Sequence, residues 1–154
     1  MKAMLKTFVV LVVLVGFCVL IGAASAQFSR PEDAIKYRKS VMFIIAQHFS
    51  RLGAMVKGAK PYDQDTFAHN AAIVETLSAL PWEAFLAAGS DRGDTTMNSR
   101  VLRNPTEFRD IAQGFRTEIG RLISAANGDD FDAVKRQFGA VGKSCKDCHS
   151  QFRK

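Results

Sequence analysis

The stretch FDAVKRQFGAVGKSCKDCHSQF, residues 131–152, holds the C-x-x-C-H run Cys145-Lys146-Asp147-Cys148-His149. Its two thiols stand at i and i+3, so on a helix they share a face with the imidazole beside them. This is the pattern of a covalent c-type haem attachment, with two thioether bonds and His149 as the iron ligand. The stretch itself demands the helix. Apolar or sulfur-bearing residues recur at Phe131, Val134, Phe138, Val141, Cys145, Cys148 and Phe152, in alternating steps of three and four that mark the inward stripe of a bundle helix. The cysteines replace core residues, so a macrocycle joined to them belongs inside a helical bundle. A zinc or dithiol redox site is the other use of C-x-x-C, but neither a second ligand pair nor a βαβ pattern accompanies it.

Working outward, the helix begins near Asp130, and Asn127-Gly128 closes its predecessor. That predecessor opens at Asn104-Pro105-Thr106-Glu107, a cap with proline and an acid in the first turn, and turns Phe108, Ile111, Phe115, Ile119 and Leu122 inward. Residues 87–103 are rich in Gly, Asp, Ser, Thr and Asn and form the one long loop, a crossing connection. Before it lies a turn with two large aromatics, Trp82 and Phe85, suited to plugging a core or to packing on a porphyrin face. Another helix starts near Asp65 as its cap, carries Phe67, Ala71, Val74 and Leu77, and ends before Pro81.

The first helix opens at Ser29-Arg30-Pro31-Glu32, read as a capping box, and runs to about Lys57 with Gly58 as its stop. Its stripe is Ile35, Met42, Ile45, Phe49, Leu52 and Val56, and position 38, where an apolar residue is due, holds arginine. A buried arginine needs a partner. Haem propionates would supply one, and a carboxylate or a snorkelling path to solvent are the alternatives.

The chain begins with Lys2 and Lys6, an apolar run and Ala24-Ser25-Ala26, the plan of a secretory signal cleaved after Ala26. Its apolar part is shorter than the roughly 20 residues that span a bilayer. Residues 1–26 are therefore expected to leave, with no membrane attachment afterwards, and residues 27–154 to form one exported domain. Loss of Lys2 and Lys6 lowers the basic count from 21 to 19 against 15 acids, a net charge of +4. Both signs are mixed along every segment, which argues against a nucleic-acid partner. No alternating period-two run occurs, so the fold class is all-α, an antiparallel up-down-up-down four-helix bundle.

That topology gathers the start of the first helix, the end of the second, the start of the third and the end of the fourth. Arg38, Met42, Trp82, Phe85 and the long loop therefore meet the C-x-x-C-H end. Met42 is placed to face the iron opposite His149, either ligating it through sulfur or only blocking that face. His48 lies on another row and His69 at the far end, so neither is read as a ligand. Arg153, one turn beyond His149, either leans over the proximal haem edge or extends into solvent.

The chain resembles the cytochrome c′ family through Lys36-Tyr37-Arg38-Lys39-Ser40 with Met42, Met55-Val56-Lys57-Gly58, Leu80-Pro81-Trp82 with Phe85, and Val141-Gly142 through Cys145, Cys148, His149 and Arg153. The resemblance implies a homodimer with one haem c per chain and five-coordinate, high-spin iron that binds nitric oxide and carbon monoxide. It further implies that Arg38 lies near a propionate, Met42 fills the distal position, Trp82 and Phe85 pack on the haem, and Arg153 is the proximal arginine. Asp94 resembles a loop residue that reaches the haem edge, and Lys39 stands where relatives often carry glutamine. Two roles follow, gas binding and single-electron transfer, the second with a redox partner the sequence does not specify. The alternative is a low-spin, six-coordinate His/Met electron carrier. Peroxidase-like chemistry needs a distal acid–base residue, and none is placed there, so the chain is not read as an enzyme.

Overall fold

The computed structural model describes residues 27–154, and the signal segment read above lies outside them. Six helices follow in order: α1 Pro31–Val56, α2 Gln64–Ser78, α3 Trp82–Leu86, α4 Arg100–Arg103, α5 Pro105–Ala126 and α6 Phe131–Phe152. The four long helices form the all-α bundle, in which α1 packs on α2, α2 on α5 and α5 on α6, while α1 and α6 touch more sparingly. Among the described residues the only extended pairing is an isolated antiparallel bridge between Met97 and Arg153.

The helix limits follow local chemistry, with two corrections to the sequence reading. At α1 the expected capping box does not form, because Pro31 starts the helix and Arg30 holds the N-cap, leaving Ser29 one residue too early. Arg30 instead forks onto the Asp33 carboxylate at 2.8 and 3.0 Å. The cap of α2 is Asp63 and not Asp65; its carboxylate accepts from the Thr66 backbone N–H at 2.8 Å, so the helix begins two residues earlier. Asp130 caps α6 by accepting from the N–H groups of Asp132 and Ala133. Gly58, at φ 73°, turns the chain out of α1 in a backbone state that other residues adopt at a cost.

One end of the bundle is closed. Leu52, Phe67, Ile119, Leu122 and Val134 are fully buried there, each side chain contributing about 1.5–3 kcal/mol. Tyr62 covers them, its ring 4.2 Å from Phe131 and 5.6 Å from Phe67. Gln64 Nε2 donates to the Ala126 and Gly128 carbonyls, tying the start of α2 to the end of α5. Midway, Phe49 of α1 stacks on Phe138 of α6 with centroids 4.3 Å apart. Gly53 makes room for that ring, since a Cβ there would lie 3.1 Å from Phe138 Cζ. His48 packs structurally, its Nδ1 2.8 Å from Asn70 Oδ1, and His69 is exposed.

The other end is crossed by residues 79–104: the expected long loop 87–103 is interrupted by α4, and the aromatic turn before it is the short helix α3. The connection passes over α1 and then pairs with the tail of α6: Asn98 N donates to Phe152 O at 2.9 Å and Lys154 N to Thr96 O at 2.7 Å.

Candidate haem site

Beyond the Phe49–Phe138 stack, the space between α1 and α6 opens into two adjoining cavities of about 1050 and 350 Å³. Nine of the ten residues singled out from the sequence line the larger one: Arg38, Lys39, Met42, Trp82, Phe85, Asp94, Cys148, His149 and Arg153. Cys145 lines the smaller, and Met42, Trp82, Cys148 and His149 line both. The stripe on α6 explains this: where Val134 and Val141 fill the core, the same face two turns later carries short thiols that leave volume unfilled.

The cavity walls are aromatic. Trp82 anchors itself by donating from Nε1 to Ser78 O at 2.6 Å, and its ring meets Phe108 and Phe115 edge-on at 5.9 and 6.1 Å. Phe85 lies 5.3 Å from Phe108, which meets Phe152 at 5.4 Å in an edge-to-face contact. These rings give a rigid apolar surface of the kind that packs on a flat macrocycle.

Arg38 is 2% exposed, and the sequence expectation that it needs an anionic partner is answered differently within the protein. Among the described residues no carboxylate bonds it. Nη1 donates to Ala84 O and Ser90 Oγ, both at 2.9 Å, while Nη2 donates to Ser90 O at 2.6 Å and Thr95 Oγ1 at 2.8 Å. Its Cζ sits 4.9 Å from the Phe85 centroid, a cation–π geometry. Burial pulls its pKa below the ordinary arginine value, with Asp91 opposing. Lys39 and Asp94 bond each other at 2.7 Å across the rim. With Lys39 52% and Asp94 95% exposed, such a pair adds less than about 1 kcal/mol.

Both thiols are half-buried and free. Burial raises the Cys145 pKa and, with Cys145 as a second cause, pushes Cys148 up to about 11. The His149 imidazole is held below its ordinary value, first by desolvation and then by the Arg153 charge. Arg153 follows α6 with its N–H on His149 O at 3.2 Å and its Nε near Thr96 Oγ1 at 3.4 Å. Ser90, Thr95 and Thr96 escaped the sequence reading. The loop's polar composition hid them, and asking which groups satisfy a buried Arg38 was the signal that could have found them.

The donor set fits a haem: two thiols on one helical face at the cavity wall, an imidazole beside them, aromatic walls, and a buried cation with no carboxylate bonded to it. Residues 33–153 match the family model described as Cytochrome C'. A cytochrome c' from Alcaligenes xylosoxydans xylosoxydans is 41% identical over 128 residues, spanning 83% of this chain and 98% of its own. The solved cytochrome c prime of Shewanella frigidimarina superposes with a TM-score of 0.80 at 38% identity, covering 83% of this chain and 99% of that one. Also similar, both at TM-score 0.77 and 40% identity, are a nitric oxide complex and a carbon monoxide-bound variant of the Alcaligenes xylosoxidans protein; each covers 83% of this chain, and 98% and 99% of their own.

Proposed function

Because this chain belongs to the cytochrome c′ family, whose members carry covalent haem c, we propose that it binds small diatomic gases, nitric oxide and carbon monoxide, at a five-coordinate, high-spin iron. The observation that carries the reading is that Cys148 and His149 of α6 and Met42 of α1 line the same two cavities. The haem supplies the iron that takes up a gas and passes between ferrous and ferric states. Everything else falls to side chains of the protein. Cys145 and Cys148 would hold the group by thioether bonds, and His149 would ligate the iron from the α6 side. Met42 would stand across the cavity, with Trp82 and Phe85 packing on the macrocycle. Arg38, Lys39, Asp94 and Arg153 would surround its polar edge.

Two features support a fifth-only ligation by protein. The α1 face around Met42 is apolar, and no second imidazole reaches the cavities, His48 being bonded to Asn70. Single-electron transfer is part of the same proposal, since the cavity mouth carries Lys39 and Arg153 for an approaching redox partner. Homodimer formation is supported by large apolar side chains left exposed, Phe43 at 64%, Ile44 at 42% and Leu80 at 38%. Export to the periplasm with cleavage after Ala26, leaving residues 27–154 as the working domain, completes it; among the described residues no helix is long and apolar enough to cross a membrane.

Absorption spectra of the ferric and ferrous protein, with and without carbon monoxide, test the reading. A high-spin ferric band and a carbon monoxide adduct are expected. A fully low-spin spectrum with a methionine-to-iron band and no adduct would overturn it in favour of a six-coordinate electron carrier with Met42 as sixth ligand.

A further inference from the structure

The bonding of Arg38 can be followed proton by proton. A guanidinium has five N–H groups in a fixed planar fork. Four of them, both on Nη1 and both on Nη2, are taken by Ala84 O, Ser90 Oγ, Ser90 O and Thr95 Oγ1. The fifth, on Nε, has no acceptor among the described residues. Ser90 is itself 0% exposed, and its hydroxyl donates onward to Ala84 O at 3.3 Å, so its lone pairs stay turned to Nη1. Thr95 is fixed from its other side, its Oγ1 accepting from the Met97 N–H at 3.1 Å. With Phe85 4.9 Å from its Cζ, the guanidinium is held on its face as well as along its Nη edge.

We propose that Ser90 and Thr95 are positioning residues that lock the Nη edge of Arg38 into the protein, so that its Nε–H and its positive charge stand as a fixed counter-charge for the acidic edge of the haem. An arginine free to rotate would trade its bonds between solvent and ligand; one whose other four protons are committed cannot. The electrostatic consequence is a constant cation beside the cavity, which stabilises whichever redox state carries less positive charge. Ser90, outside the cavity lining, and Thr95, at its edge, thereby act on the iron's reduction potential through Arg38. The inference rests on the reading that Arg38 faces the haem's acidic edge.

The test is a double-mutant cycle on the holoprotein, read as reduction potential at pH 7. Arg38→Leu is expected to lower the potential, because it removes a cation that favours the ferrous state. Ser90→Ala and Thr95→Val are each expected to lower it by less than Arg38→Leu, and neither to lower it further in the Arg38→Leu background. Thr95→Ser, which keeps the hydroxyl, is expected to return the potential to that of the parent. A drop in melting temperature with an unchanged potential in Ser90→Ala and Thr95→Val would reduce both residues to structural groups and overturn the proposal. If Arg38→Leu itself leaves the potential unchanged, the underlying placement of the haem's acidic edge is wrong and both fall together. Thr95→Val, at a half-buried site, carries the test if Ser90→Ala does not fold.

Discussion

The two ends of this bundle are built from the same four helices and the same stripe periodicity, yet one is packed by its own side chains and the other is lined to hold a haem. At the closed end, Leu52, Phe67, Ile119, Leu122 and Val134 meet with no exposed surface. At the open end, the matching rows carry Arg38, Met42, Cys145 and Cys148, and the walls are held apart by bonds running along residues 84–98. The periodicity decides that a bundle forms; side-chain volume and polarity along the stripe decide where it closes. Apolar burial is non-directional and carries the closed end, whereas directional hydrogen bonds carry the open end.

Four substitutions or conditions put this contrast at risk. The largest effect belongs to Cys145→Ala with Cys148→Ala, expected to abolish covalent haem entirely, as read by pyridine haemochrome and intact mass, while leaving the aromatic NMR shifts of Tyr62 and Phe131 at the closed end in place. Next, Leu52→Ala should cost about 2–5 kcal/mol in urea denaturation and leave the haem spectrum of the folded protein unchanged. A spectral change would mean that the two ends are not separable. Gly53→Ala sits at the border. Its Cβ meets Phe138 Cζ at 3.1 Å, an overpacking worth about 1–3 kcal/mol that the gain in helix propensity, about 1 kcal/mol, partly offsets. A net loss near 1 kcal/mol is therefore expected, together with a disturbed Phe49–Phe138 stack visible in aromatic NMR shifts.

The smallest effect is one of pH. The Asp63 and Asp130 carboxylates are held below their ordinary pKa, the first by hydrogen bonds from Thr66 and the second chiefly by the Ala133 N–H. Groups with lowered folded-state pKa contribute stability that is complete above the unfolded value and fades as pH falls through the folded one. The melting temperature should accordingly hold above about pH 4 and decline below it, and Asp63→Asn, which keeps an acceptor without a titrating proton, should flatten that decline. Arg38 stays charged throughout this range and its acceptors are carbonyls and hydroxyls, so acid loosens the helix caps of the closed end while the Arg38 bonds persist.

Most of the architecture was legible in the sequence because it rests on periodicity. The stripe from Phe131 to Phe152, the stop at Gly58 and the convergence of Arg38, Met42, Trp82 and Phe85 with Cys145, Cys148 and His149 all follow from residue spacing. The misreadings were local. Ser29 and Asp65 are good capping residues one position before and two positions after the actual caps, and the choice depends on where Pro31 fixes φ and where Tyr62 seats on the core. The partners of Arg38 were not legible, because Ser90 and Thr95 lie in a segment with no period, and only the three-dimensional path of that segment brings them to α1.

The bonds that close this path also carry a clock. Ala84, Ser90 and Thr95 are separated from Arg38 by 46, 52 and 57 positions, and Thr96 from Arg153 by 57. The pairings of α1 with α2 and of α5 with α6 join neighbours in the chain and need only short loops to close. Contacts that span more of the chain wait on more loop entropy, so the two helical hairpins are expected to form ahead of the longer-range pairings, the clasp around Arg38 among them. The C-x-x-C-H turn of α6 would then be shaped within its own hairpin before the crossing segment shuts over the cavity wall.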